Sequence, residues 1–315
     1  MIKNVSKTQI FPASLVSIAA TLWAVDGIVL RPYLYNLPVP LVVFIETTIV
    51  AIILSPFFYK QFPFLKNLKL KDWIAFLGVA FFGGALGTMA ITRALFFVNY
   101  VNLSIVIFIQ KLQPVFAIIL AAIILKEKLT KEFLIWAATA IIGAYIITFE
   151  FNLPLLHTGD KTAVAALFAL VAAFSFGFST VLSKRALKNV GFQLGTYLRF
   201  ALTAAIMLLT VVITNDFKSL SEISINQLYV FLIIAFSTGG PAIFIYYYGL
   251  KKISASVATI CELAFPLSAV ILEYFVHGKI LTPVQWIGAM ILLFSIIKVS
   301  GIEITSFFNN RNEQN

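Results

Sequence analysis

The sequence predicts an all-α integral membrane protein: ten transmembrane helices arranged as two five-helix repeats that are inverted relative to each other across the bilayer. Three observations predict it: a scarcity of charge, a series of long apolar runs, and an internal repeat. Of 315 residues, 61% are hydrophobic and 11% charged. A soluble domain carries about a quarter charged residues, so too little polar material is present here to cover a soluble core. A prior of about 150 residues per domain points to two units.

A bilayer core takes about 20 apolar residues per helix. Candidate spans run over 11–30, 39–59, 73–97, 101–125, 131–150, 162–183, 192–214, 227–249, 254–275 and 282–300. Turn or charge signals separate them, as in Tyr35-Asn36-Leu37-Pro38 and Lys184-Arg185-Ala186-Leu187-Lys188. The first run is not read as a cleavable signal, because it contains Asp26, ends at Arg31-Pro32 and lacks a small-residue cleavage site. The single cysteine, Cys261, lies in an apolar run and excludes an intramolecular disulfide.

The basic residues give the spans an orientation. With a cytoplasmic N-terminus, sixteen of the 23 Lys and Arg fall on the inner side, among them Lys3, Lys7 and Arg311. Four fall outside (Arg31, Lys161, Lys218, Lys279), and Arg93, Lys111 and Arg199 lie within spans. That bias is the positive-inside pattern. It places both termini in the cytoplasm and the protein in the cytoplasmic membrane. It also accounts for the net charge of +10 without nucleic acid, because the basic residues sit in short clusters between apolar runs.

An offset of 152 residues brings two segments into register. Asn102-Leu103-Ser104, Gln110 to Pro114 and Leu129-Thr130 align with Ser254-Ala255-Ser256, Glu262 to Pro266 and Leu281-Thr282. Five spans per unit is an odd number, so the second unit enters the bilayer from the opposite side. Inverted repeats of this kind typify secondary transporters with a midplane site. Leu125-Lys126-Glu127-Lys128 of the first copy becomes His277-Gly278-Lys279-Ile280 in the second, and the loss of positive charge agrees with an outward-facing loop.

Several of these segments carry a resemblance to a known family. They are Pro114-Val115-Phe116-Ala117 with Lys126-Glu127-Lys128-Leu129-Thr130, Tyr248-Gly249-Leu250 leading to Pro266, and Gln285-Trp286-Ile287-Gly288-Ala289. The chain resembles the EamA-type, two-repeat members of the drug/metabolite transporter superfamily over 12–150 and 161–300. Lys279 stands where that family's second-repeat glutamate is expected. The resemblance implies a ten-helix transporter of a small metabolite, amino acid, nucleotide-like cofactor or toxic compound.

Charged groups in the bilayer cost about 2.5–3.5 kcal/mol at the helix centre on insertion scales, so each needs a partner, water or a function. Asp26, Glu46, Arg93, Lys111, Arg199, Glu262 and Glu273 stand in or near spans. Lys111 and Glu262 lie well inside the paired spans four and nine, with Gln110 aligned to Glu262, and with Gln113 they form the core of a candidate substrate site. The alternative is a structural ion pair. Glu46 and Arg199 lie at similar depths in the paired spans two and seven, with Thr196 and Thr203 on the Arg199 face. They are expected to line the cavity, against the alternative of a snorkelling arginine. Trp23 and Asp26 could hold an organic cation by cation–π contact, or Asp26 could be a wetted acid paired with Arg31. Arg93 near Thr88 and Thr92 completes the candidate set, whereas Glu273 reads as a loop-facing charge.

Buried acids titrate near neutral pH, which makes protons a candidate coupling ion at Glu262 or Glu46. Gly83-Gly84 and Gly87 form a small face for helix contact. Ser237 to Pro241 interrupts span eight, and Pro114 and Pro266 kink spans four and nine. Tyr246-Tyr247-Tyr248 reads as part of an interfacial aromatic belt.

These features point to a secondary active transporter working by alternating access. The mixed charges favour an amino acid or related zwitterion, with an organic cation or nucleoside-like cofactor as the alternative cargo. No phosphate-binding Gly-rich loop, metal-ligand cluster or nucleophile elbow is visible, and His157 and His277 fall in outer loops. An enzyme, such as a lipid-modifying transferase, is therefore disfavoured, and no cofactor is expected.

Overall fold

The computed structural model describes residues 7–96, 106, 109–152, 160–278, 280–302 and 304. Lys3, Asn102, Leu103, Ser104, His157, Lys279 and Arg311 lie outside the described residues, as do the side chains of Lys7, Lys161, Glu273 and His277. Within them the chain is helical and carries no β-strand. Among the described residues nine helices are long and apolar enough to cross a membrane, and one apolar helix is shorter. They are α1 (Gln9–Leu34), α2 (Val39–Asn67), α3 (Leu70–Leu95), α4 (Gln113–Leu125), α5 (Lys131–Phe149), α6 (Ala163–Ala186), α7 (Phe192–Thr214), α8 (Ile225–Lys252), α9 (Ala255–Val276) and α10 (Pro283–Ser300).

Two ends differ from the sequence expectation. Span one does not stop at residue 30. A π-helical turn (Asp26–Leu30) and a 3-10 turn (Arg31–Leu34) carry it on, because Pro32 sits in the first turn of the new segment, where no N–H is needed. Likewise α2 continues beyond Phe58 as 3-10 turns, Tyr59–Asn67.

The repeated sequence elements turn out to be helix caps. The threonines of Leu129-Thr130 and Leu281-Thr282 cap α5 and α10, accepting hydrogen bonds from Phe133 N and Gln285 N. Ser254 caps α9 through Val257 N. Each hydroxyl takes up one of the N–H groups that a helix start leaves free.

Packing between helices is unchanged when the two halves are exchanged. α2 lies on α7 and α5 on α10, each against its own counterpart. α1 lies on α8 and α9 just as α6 lies on α3 and α4. α5 and α10 approach closely over a reciprocal glycine pair. A Cβ on Gly143 would lie 2.8 Å from Leu292 N, and one on Gly288 would lie 2.8 Å from Ile147 N. The small face of α3 is used in the same way: Gly83 faces Ser179, Gly84 faces Thr203 and Gly87 faces Phe176. Lipid supplies no hydrophobic drive between helices, and close backbone contact over small residues replaces it. The outer surface is apolar, with Ile52, Leu209, Phe236 and Met290 each more than three-fifths exposed.

One polar contact joins the halves at the end where α8 turns into α9. The buried Glu127, in the loop between α4 and α5, accepts from Ala255 N (2.8 Å), Ser256 N (3.1 Å) and Ser256 Oγ (2.5 Å). It neutralises the positive end of α9. Beside it Lys184 Nζ donates to the carbonyls of Leu250 (3.0 Å) and Lys251 (2.9 Å) at the end of α8. A buried donor that loses its acceptor costs about 1–3 kcal/mol. Glu127→Ala is therefore expected to lower the thermal unfolding midpoint of the detergent-solubilised protein clearly, and Glu127→Gln less. Equal midpoints for all three proteins would remove this role.

Candidate functional site

Proline decides where the site forms. Pro114 and Pro266 lack the N–H that would bond back to Gln110 and Glu262, one turn earlier. Both helices open at that point. Lys111 and Leu112 form a turn before the segment Gln113–Leu120, and Glu262 and Leu263 form one between Ala255–Cys261 and Ala264–His277. Irregular backbone at this depth is tolerated where it lines a cavity. A cavity of about 270 Å³ lies there, lined by residues of α1 to α4 and α6 to α9 and not by α5 or α10.

The cavity runs between two ends. Along α3 its lining runs from Gly83 to Leu95, the last residue of that helix, and along α1 it reaches Arg31. Its opposite limit is set by Ser183, Tyr246 and Thr259, all buried, on the side of the Glu127 contact.

Four candidate residues and one tyrosine form the centre. Glu262 accepts from Gln113 Nε2 at 2.5 Å and from Tyr246 Oη at 2.7 Å, with Thr180 Oγ1 at 3.4 Å. Lys111 does not pair with this carboxylate. Its ammonium lies 3.4 Å from the centre of the Phe265 ring, a cation–π contact. The structural ion pair considered above is therefore not formed. Neutral donors already satisfy Glu262, and Lys111, on the other repeat, rests on an aromatic face. Gln110 is buried in the lining.

Arg199 points inward rather than snorkelling. It donates to Tyr247 Oη (3.3 Å) and the Gly83 carbonyl (3.5 Å), and Tyr247 also bonds Ser183 at 2.9 Å. The close approach over Gly83 lets the guanidinium reach that carbonyl. Thr203 lines the cavity, and Thr196, on the same helix, is buried.

At the Arg31 end Asp26, Arg31 and Glu46 meet. Arg31 Nη2 lies 2.6 Å from Asp26 Oδ2 and 3.2 Å from Glu46 Oε2. The π-helical turn is responsible, because Arg31 N bonds Asp26 O five residues back, which stacks two residues that an ordinary helix would splay apart. Trp23 lines the cavity and packs on Tyr246 with centroids 5.2 Å apart.

Four expectations are corrected. Arg31 is not an outer-loop charge; it lines the cavity. Asp26 is paired with Arg31, as one of the two readings had it, but it is not wetted, as its side chain is 15% exposed. Arg93 is exposed and outside the lining. Thr88 and Thr92, four residues apart, share the cavity face, and the next residue is turned about 100° away from it. The tyrosine run is not an interfacial belt, since Tyr246 and Tyr247 are 3% and 0% exposed. Only Tyr248 faces outward, and it meets Lys252 at 2.7 Å.

Tyr246, Tyr247, Thr180 and Arg31 are thus the functional candidates that sequence reasoning missed. Arg31 had a signal in Asp26 five residues before it. Tyr246 meets Glu262 only through the packing of α8 on α9, and no local pattern announces it. The charged lining now comprises three acids (Asp26, Glu46, Glu262) and three bases (Arg31, Lys111, Arg199), formally neutral when all are ionised.

A buried acceptor that loses its donor costs about 1–3 kcal/mol. Tyr246→Phe is expected to lower stability by that amount in thermal unfolding, and Tyr248→Phe to leave it unchanged. The reverse order would restore the interfacial reading of the tyrosine run.

Comparison with known proteins places this geometry among transporters. Residues 10–149 and 163–301 each match the EamA-like transporter family. The riboflavin transporter ImpX of Fusobacterium nucleatum is 46% identical over 289 residues, 91% of this chain and 97% of that protein. Protein LicB of Haemophilus influenzae is 22% identical over 301 residues, 92% of this chain and 96% of its own length. A solved crystal structure superposes with a TM-score of 0.70 at 14% identity, covering 92% of this chain and 98% of its own. That likeness concerns the fold alone.

Proposed function

Because the chain belongs to the EamA-like transporter family, we propose that it carries a neutral flavin-type vitamin, riboflavin first, across the cytoplasmic membrane by alternating access. As a multi-pass membrane transporter, and not an enzyme, it moves a small molecule. The observation that carries the choice of cargo is the 46% identity to a riboflavin transporter over nearly the whole of both chains.

The lining supports this cargo over an amino acid. Mixed charges first suggested a zwitterion. Those charges are already engaged within the protein: Arg31 takes Asp26 and Glu46, Glu262 is occupied by Gln113, Tyr246 and Thr180, Lys111 rests on Phe265 and Arg199 on Tyr247 and the Gly83 carbonyl. The cavity then offers aromatic faces from Trp23, Phe176, Tyr246 and Phe265, with amide and hydroxyl groups between them. Flat rings with a polar edge and a hydroxylated chain suit such a lining, since rings stack and buried polar groups fix orientation. A lining of zero net formal charge favours a cargo without phosphate.

In this reading both termini face the cytoplasm and the cavity opens outward, toward the end of α1 where few basic residues lie. Closure at that end and release of the Glu127 contact at the other would move the cargo through. Reporter fusions at either terminus test the orientation, and an external reporter overturns it.

Binding is read from quenching of flavin fluorescence by the purified protein, and transport from riboflavin uptake into proteoliposomes. Lys111→Ala and Glu262→Gln are each expected to weaken riboflavin binding about tenfold, the loss of roughly 1.4 kcal/mol. The phosphorylated flavin is expected to compete poorly, and amino acids not at all. Thermal stabilisation by an amino acid with none by riboflavin sinks the proposal.

A further inference from the structure

At the Arg31 end of the cavity, two carboxylates face one guanidinium. Asp26 and Arg31 come from α1 and Glu46 from α2. Ionised together, the three carry one uncompensated negative charge. Their side chains are 15%, 11% and 10% exposed. One atom of each is buried with no hydrogen-bond partner among the described residues: Asp26 Oδ1, Arg31 Nη1 and Glu46 Oε1. The contacts that hold Glu262 do not use them.

Among the described residues Arg31 is the base paired with the two acids, and Arg93 of α3 stands exposed outside the cavity lining. Arg31 and Asp26 are the charged groups acting on Glu46. On α7, Arg199 is turned to Tyr247 and Gly83. Lys111 of α4 rests on Phe265, and Glu262 of α9 is held by its own donors. The faces of α3 and α8 contribute Thr88, Thr92 and Thr238. The first half of α8, Ile225–Ile234, bears no charge. Tyr35 lies near Arg31 and Asp26. The 3-10 segment Asp216–Glu222, with Lys218, packs on α2 through Phe217 against Phe44, and Thr214 bonds Asp216. At the far end of α2 stand Lys60 and Lys66.

We infer that Glu46, bridged through Arg31 to Asp26, binds the proton that drives transport; this rests on the cavity being the transport path. A hard metal cation takes about six oxygen ligands. Here two orphan carboxylate oxygens stand beside a fixed positive charge, which suits a proton and repels a metal ion. The proton comes from water at the Arg31 end and forms one O–H bond on Glu46. The trio is then neutral, and closing the cavity over it no longer buries an unpaired charge, a step that is otherwise costly. When the other end opens, the O–H bond breaks and the proton leaves to water. The trio also ties α1 to α2, so the same proton relaxes the contact between them.

Two measurements test this. Purified protein is titrated through the neutral range with a pH-indicator dye, without any cargo. The wild type is expected to take up one proton more than Glu46→Gln, and Glu46→Asp to restore it. Equal uptake overturns the inference. If Glu46→Gln fails to fold, Asp26→Asn removes the same excess charge from the other helix and is expected to lose the same proton. In proteoliposomes, riboflavin uptake is measured with and without an imposed proton gradient. The ratio is expected to be several-fold in the wild type and about one in Glu46→Gln. A ratio of one in the wild type, or acceleration by a sodium gradient instead, overturns the inference while riboflavin uptake itself stands. Absence of riboflavin uptake alongside an intact proton difference refutes the cargo and leaves Glu46 in place.

Discussion

Hydrocarbon offers no hydrogen bonds, so every polar group that this chain carries into the bilayer must be answered by the chain itself. The rest of the structure follows from that constraint. Threonine and serine caps close the starts of α5, α9 and α10. Hydroxyls along the helices bond back to carbonyls one turn earlier, as Thr47 does to Val43 and Thr210 to Ile206. Where proline removes a backbone donor, in α4 and α9, the helices open into the cavity and not into lipid. Six charges then cluster around that cavity.

A symmetric scaffold carries asymmetric chemistry. The packing of helices is the same when the halves are exchanged, and both proline breaks sit at equivalent positions. What occupies those positions differs. Gln110 faces Glu262 across the repeat relation, and Thr47 corresponds to Arg199. The glutamate of the Glu127 contact has Lys279 at its counterpart in the second repeat. A transporter must visit two conformations, and matched scaffolds make the two nearly equal in energy. Unlike side chains at equivalent positions then let cargo and proton act on one end or the other.

Close packing and chemistry are coupled at Gly83. The absence of a side chain there brings α3 onto α6, with Ser179 in contact, and leaves the carbonyl open to Arg199. Tyr247 ties Arg199 to Ser183, while its neighbour Tyr246 ties Thr180 to Glu262. Adjacent residues on α8 thus link α6 separately to α7 and α9. Motion of α8 moves both networks together.

The number, order and apolar character of the helices were legible in the chain itself, as were the paired breaks before Pro114 and Pro266 and the small face of α3. Each is a local property: twenty apolar residues, a missing N–H, a missing Cβ. Sequence also singled out Trp23, Asp26, Glu46, Gln110, Lys111, Gln113, Arg199 and Glu262, because a charge or amide in a span is costly wherever it ends up. It could not say which of them meet. Gln113 and Glu262 lie 149 residues apart, and Tyr246 reaches Glu262 only because α8 packs beside α9. Arg31 and Arg93 exchanged roles for the same reason. A π-helical turn rotated Arg31 into the cavity, and one residue of helical rotation turned Arg93 out. Direction around a helix axis is set by the neighbours that pack on it, and only the tertiary structure decides those.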